Sequence, residues 1–140
     1  MSEKIIAEVK DYINKVIRPP RSEFNDMPTC PFAGPELDGD KLMIDVVVPG
    51  EVGLPELIEK FLASDKRSAL FAQLGGEELT SEDTKKYQIF INRLLRKSGA
   101  KDYKCICFNP NDKDTNVNGF NPRAEAPYFL INIASRSELH

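Results

Sequence analysis

The chain predicts an α/β fold: an N-terminal helix followed by a β-α-β-α-β-β pattern, with helices packed on a four-stranded mixed sheet. Three observations support this. Apolar residues recur at the helical period over 5–17 and again within 81–97. Short apolar runs rich in β-branched and aromatic residues, at 42–48, 69–74, 103–108 and 128–134, have the length of strands. Helical segments separate the first three of these runs, and strands joined through helices favour parallel pairing with right-handed crossovers. With 140 residues and 41% hydrophobic content, a single domain with one core is expected.

The first helix places Ile5, Ile6, Val9, Tyr12, Ile13, Val16 and Ile17 on one face. Ser2 can cap its start, and Pro19-Pro20 ends it because proline excludes the preceding residue from helical geometry. An irregular stretch over 18–40 follows, punctuated by Pro28, Pro31 and Pro35. The run 42–48 is apolar except for Asp45 and reads as a buried strand closed by Pro49-Gly50. Pro55 suits the first turn of a short helix that carries Leu57, Ile58, Phe61 and Leu62 on one face. The strand at 69–74 is closed by Gly75-Gly76.

Thr80 or Ser81 caps the clearest helix, with Glu82 and Asp83 in its first turn and Arg96 and Lys97 in its last, matching the helix dipole. Its apolar stripe is Tyr87, Phe90, Ile91, Leu94 and Leu95, and Gly99 stops it. The third strand, 103–108, leads into a long polar loop, 109–127, before the last strand, in which Phe129, Ile131 and Ile133 alternate. Long structureless loops are uncommon in compact domains unless used. The loops at 18–40 and 109–127 are therefore the expected functional edge, and ligands of open α/β sheets favour the carboxyl ends of strands.

A net charge of −3 and a pI near 5.3 give no electrostatic reason to expect nucleic acid. The small basic group Arg93, Arg96 and Lys97 is accounted for by a helix C-terminus. No apolar run is long enough to span a bilayer, and the N-terminus lacks the charged-then-apolar pattern of a signal peptide. A cytoplasmic protein without membrane or nucleic-acid partners is expected, with Cys30, Cys105 and Cys107 reduced. The single histidine, His140, argues against histidine-based metal centres and acid–base catalysis.

Asp114 to Glu125 spells a calcium loop, with Asp114, Asn116, Asn118, Gly119 and Glu125 at the required positions and the Phe120 carbonyl as backbone ligand. Its flanks do not read as helices, and Asn- and Asp-rich stretches also arise as turn caps. A ligand-binding or turn-rich loop is the preferred reading, with calcium the minor alternative and no metal predicted. Cys30, in Cys30-Pro31-Phe32-Ala33, is the candidate catalytic residue: a thiol near Arg18 and Arg21 can be a nucleophile or redox centre, or a haem thiolate in the least favoured reading. The bland alternative is a small hydrophobe packed into the core. Cys105 and Cys107 share one strand face, where core packing is preferred to a three-thiolate site with Cys30. Asp45 reads either as a perturbed acid or as an outward residue of an edge strand. Arg123, with its planar fork, is the candidate anchor for an anionic group, with Asn121, Tyr128 and Arg21 as further ligand-binding residues.

Cys30-Pro31-Phe32-Ala33, Phe108, Pro110, Arg123 and Pro127-Tyr128 together resemble an uncharacterised bacterial family catalogued as domain of unknown function 1415. Thr29, Asn109 and Phe129 depart from that family's Leu, His and Pro, and Ala124-Glu125 separates Arg123 from Pro127. The resemblance implies the architecture and singles out the two loops, but supplies no reaction. The expected function is a site for a small anionic molecule or peptide between the Cys30 loop and the 109–127 loop, thiol-dependent in one version. The alternative is a non-catalytic accessory protein that uses the same loops to hold a partner.

Overall fold

The computed structural model describes residues 2–111 and 125–135. Helix α1 (Ser2–Tyr12) continues as a π-helical turn over Ile13–Ile17, where the Arg18 amide donates to the Ile13 carbonyl at 2.8 Å. Two short strands, β1 (Pro20–Arg21) and β2 (Met27–Pro28), form a hairpin ahead of helix α2 (Ala33–Asp38). Then follow β3 (Leu42–Val47), α3 (Leu54–Leu62), β4 (Ser68–Gln73), α4 (Ser81–Lys97), β5 (Tyr103–Phe108) and β6 (Phe129–Ser135). This is the α/β pattern expected from the sequence.

The large sheet has the order β3-β4-β6-β5. β3 and β4 are parallel and joined through α3, while β6 runs antiparallel to both of its neighbours, β4 and β5. The last strand therefore inserts between β4 and β5, leaving β3 and β5 as edges. Burial follows the order. β4 and β6 are buried on both faces almost throughout, whereas β3 and β5 are buried only in part. The expectation of a buried strand at 42–48 is corrected accordingly: its apolar run belongs to an edge strand, with Met43, Ile44 and Asp45 half-exposed.

The sheet separates two apolar layers. On one face, α3 and α4 contribute Leu57, Ile58, Phe61, Ile91 and Leu95, packed on Phe71, Cys105, Cys107, Phe129, Ile131 and Ile133. On the other face, α1 and its π turn contribute Ile5, Val9, Tyr12, Ile13 and Ile17, packed on Leu42, Val46, Leu70, Ala72 and Leu130. Alternation along each strand sends odd and even residues to opposite layers, which makes a three-layer sandwich.

Two details depart from the periodic reading. The stretch 18–40 holds the hairpin and α2 rather than irregular chain. Pro35 is compatible with α2 because it lies in the first turn, whose amides have no intrahelical acceptor. Phe90, expected in the buried stripe of α4, is 57% exposed and stacks beside Tyr87 with centroids 6.5 Å apart.

Edge strand β5 is protected by α4. The Cys105 amide donates to Asn92 Oδ1 at 2.8 Å, the Cys107 amide donates to Gln88 Oε1 at 2.9 Å, and Asn92 Nδ2 donates to the Cys105 carbonyl at 3.3 Å. These side chains take the bonds that a neighbouring strand would otherwise make, which blunts edge-to-edge pairing. Past β5, buried Asn109 donates from Nδ2 to the Leu79 carbonyl at 2.7 Å and to Thr84 Oγ1 at 2.9 Å, tying the start of the long loop to α4.

The turn after β4 needs both of its glycines for different reasons. Gly75 adopts a left-handed backbone with φ of 85°, which glycine reaches without steric cost. A Cβ on Gly76 would lie 2.7 Å from Cγ and 2.8 Å from Cβ of Phe129, which is fully buried. Gly76→Ala is expected to destabilise the fold by about 1–3 kcal/mol through overpacking. Urea unfolding checks this, and an unchanged midpoint would show that Phe129 can move aside.

Candidate functional site

The segment that carries Cys30 is shaped by the residues that end α1. Pro19 and Pro20 turn the chain into the small hairpin, whose tip places Asn25 and Asp26 in left-handed backbone with φ of 55° and 63°. Asn and Asp tolerate that region better than other side chains. The Thr29 amide then donates to the Ile17 carbonyl at 3.1 Å, docking the outgoing chain on the end of the π turn. Arg18 forks onto both oxygens of Asp38 at the end of α2, and also donates to Asn14 Oδ1 at 3.2 Å. Its stem crosses Gly34, where a Cβ would meet Nε at 3.0 Å. The guanidinium holds the Asp38 carboxyl below its ordinary value, chiefly through their hydrogen bond.

Between this segment and the sheet lies a cavity of about 260 Å³. Its floor is the α1-side face of the sheet at Leu70, Ile106, Phe108, Asn132 and Ala134. Tyr12, Ile13 and Ile17 form one wall, and Thr29, Cys30, Pro31 and Phe32 cover it. At the Leu42 end stand two buried polar residues, Glu36 and Ser68, with 7% and 4% exposure. Ser68 Oγ donates to Glu36 Oε1 at 2.5 Å, which ties α2 to the first residue of β4. No lysine or arginine of the described residues forms an ion pair with Glu36. Thr29 Oγ1 is buried without a hydrogen-bond partner among the described residues. The cavity is thus an apolar slot with an acceptor at one end and a thiol and a hydroxyl in its cover.

The sequence-derived candidates distribute unevenly. Cys30 is half-buried, lines the cavity and packs with the α1-side layer. Arg21 is not among the lining residues, and its Nε lies 3.3 Å from Glu23 Oε2. Tyr128 packs against the α1-side layer, where a hydrogen bond with Glu8 raises its phenol above the ordinary value. Glu125 and Pro127 border a separate groove with Glu8, Asp11 and Lys15, and Tyr12 lines both this groove and the cavity. Of the expected anion anchor and calcium ligands, Asn121, Arg123, Asp114, Asn116 and Asn118 lie outside the described residues.

Asp45 lies on edge strand β3, 3.4 Å from Lys60 Nζ, and accepts from the Val46 amide at 2.8 Å, the arrangement of an outward edge residue. The three-thiolate alternative is excluded by the sheet itself, because Cys30 lies in the α1-side layer and Cys105 and Cys107 in the α3/α4 layer. The latter pair are fully buried with sulfurs 3.8 Å apart, and the contact with Cys107, together with burial, pushes the Cys105 thiol far up. Among the described residues no group of three His, Cys, Asp or Glu side chains is placed to hold a metal.

Glu36, Ser68, Thr29 and Asn132 were not singled out by sequence. Glu36 falls in a stretch that reads as irregular, and Ser68 merely precedes an apolar run. The available signal was Ser68 itself, a hydroxyl at the mouth of a strand buried on both faces, which requires a partner.

No family model, curated protein or solved structure matches this chain. The likeness to the uncharacterised bacterial family therefore rests on the residues that carry it, and function is argued from geometry.

Two outcomes are expected. A thiol reagent modifies Cys30 in the native protein but reaches Cys105 and Cys107 only on unfolding; equal rates for all three would contradict their placement. In an alkaline NMR titration, Glu8→Gln lowers the Tyr128 midpoint toward the ordinary tyrosine value of 10.0. Because the folded value lies above the unfolded one, the associated stability is present below about pH 10 and is lost as pH rises through the folded value. An unmoved midpoint in Glu8→Gln would remove Glu8 as the cause.

Proposed function

We propose that the protein binds a small, largely apolar molecule with a cationic, hydrogen-bond-donating head group in the cavity under the Cys30 segment. Glu36 is the observation that carries this reading. It is a carboxylate more than nine-tenths buried, it lines a cavity, and among the described residues it has one hydroxyl partner and no cation. Withdrawing an ionised carboxylate from water costs several kcal/mol unless it is paired. A ligand ammonium seated against Glu36 would supply the missing partner, while the aromatic and aliphatic walls would take the rest of the molecule. The volume, about 260 Å³, sits just below the common range of roughly 300–1,000 Å³ for ligand sites, so the ligand would be small. Cys30 in the cover would contact it, and a thiol-dependent step would belong to this same site.

Of the residues expected to hold an anion, Arg21 does not line this cavity and Asn121 and Arg123 lie outside the described residues; no cation lines it among the described residues.

Benzylamine, benzyl alcohol and benzoate serve as probes of one size. Benzylamine is expected to raise the unfolding midpoint at millimolar concentration and to slow modification of Cys30. Glu36→Gln should abolish the amine's advantage over the alcohol while leaving the alcohol's effect. Equal effects of benzoate and benzylamine would overturn the charge assignment; no effect of any probe would overturn the site.

A further inference from the structure

On the opposite side of the sheet, α4 presents a surface that its packing does not use. Ile89 and Phe90 are 53% and 57% exposed, large apolar side chains adjacent in sequence and facing outward. A groove beside them is lined by Ile89, Asn92, Arg93, Arg96 and Lys104, three of which are cations and none an acid. None of these cations forms an ion pair among the described residues, whereas Lys86, about two turns before Arg93, pairs with Glu82. The helix dipole accounts for a cation in the last turn, such as Arg96, but not for Lys104 on the neighbouring strand or for exposed Ile89 and Phe90. In a chain of net charge −3, a local basic surface around apolar side chains is a departure from the average.

We propose that this face docks an acidic segment of a partner protein, with carboxylates on Arg93, Arg96 and Lys104 and an apolar side chain on Ile89 and Phe90. Charge complementarity chooses the occupant: arginine forks match carboxylates in paired geometry, and exposed apolar residues inside a polar rim are the usual anchor of a protein interface. The mode of docking is constrained as well. Gln88 and Asn92 already hold the outer edge of β5, so the partner is read by side chains and does not add as a further strand. The surface lies on the α3/α4 side of the sheet, away from the cavity under Cys30, and is independent of it.

Fluorescence anisotropy with a labelled peptide of alternating glutamate and leucine blocks tests this. Saturable binding that weakens with salt is expected, with no binding of the same peptide in which glutamine replaces glutamate. Arg93→Glu combined with Arg96→Glu should weaken binding about tenfold or more, and Ile89→Ser should weaken it without removing the salt dependence. All three positions are exposed, and unchanged circular dichroism would exclude unfolding as the cause. Absence of saturable binding, or indifference to these variants, would overturn the proposal. So would tighter binding of an oligothymidine lost in the same variants, or sedimentation showing a dimer that Arg93→Glu dissolves; these would reassign the face to nucleic acid or to a second copy.

Discussion

The insertion of β6 between β4 and β5 is the constraint on which the other features depend. The chain leaves β5 at Phe108 and returns at Phe129 antiparallel into the middle of the sheet, pairing Phe71 with Ile131 and Cys107 with Ile131 on its two sides. A strand in that position must be apolar on both faces, and Phe129, Leu130, Ile131 and Ile133 are all fully buried. Its arrival makes β5 an edge, which is why Gln88 and Asn92 of α4 are turned onto the strand. It also sets the cavity floor, since Asn132 and Ala134 lie beside Ile106 and Ser68 only in this register.

With the sheet fixed, one buried hydrogen bond determines how the Cys30 segment sits on it. Ser68 Oγ and Glu36 Oε1 join the first residue of β4 to α2, while Arg18 and Asp38 tie the end of the same helix to the end of the π turn at the surface. The exposed ion pair is a modest contributor because solvent screens it. The buried pair has greater consequence: removing the hydroxyl strips a buried carboxylate of its only described partner, a loss of about 1–3 kcal/mol. That same carboxylate is what the cavity offers to a ligand, so the element that holds the cover in place also sets the ligand's charge.

The elements with strong periodicity were legible in the sequence. α4 announced itself by Thr80, its charge gradient and Gly99, and the four strands by their length and apolar content. The order of those strands was not legible, because burial on both faces marks a central strand only relative to its neighbours, and the apolar run 42–48 suggested a centre where the fold has an edge. Of the site, Cys30 and its cover were visible as a proline-held segment. Glu36 and Ser68 were not, since thirty-two positions separate them and only the packing of α2 on β3 and β4 brings them together. Phe90 misled for a related reason: helical period places a residue near a stripe, while the neighbouring layer decides how wide the buried stripe is.

Amide hydrogen exchange in Ser68→Ala tests most directly whether the Glu36 bond holds the Cys30 segment over the cavity. Loss of the tie should speed exchange of the Thr29, Glu36 and Lys41 amides by about tenfold or more, while Phe71 and Ile131 stay protected. Unchanged exchange at Thr29, Glu36 and Lys41, or an equal acceleration across the whole sheet, would contradict it.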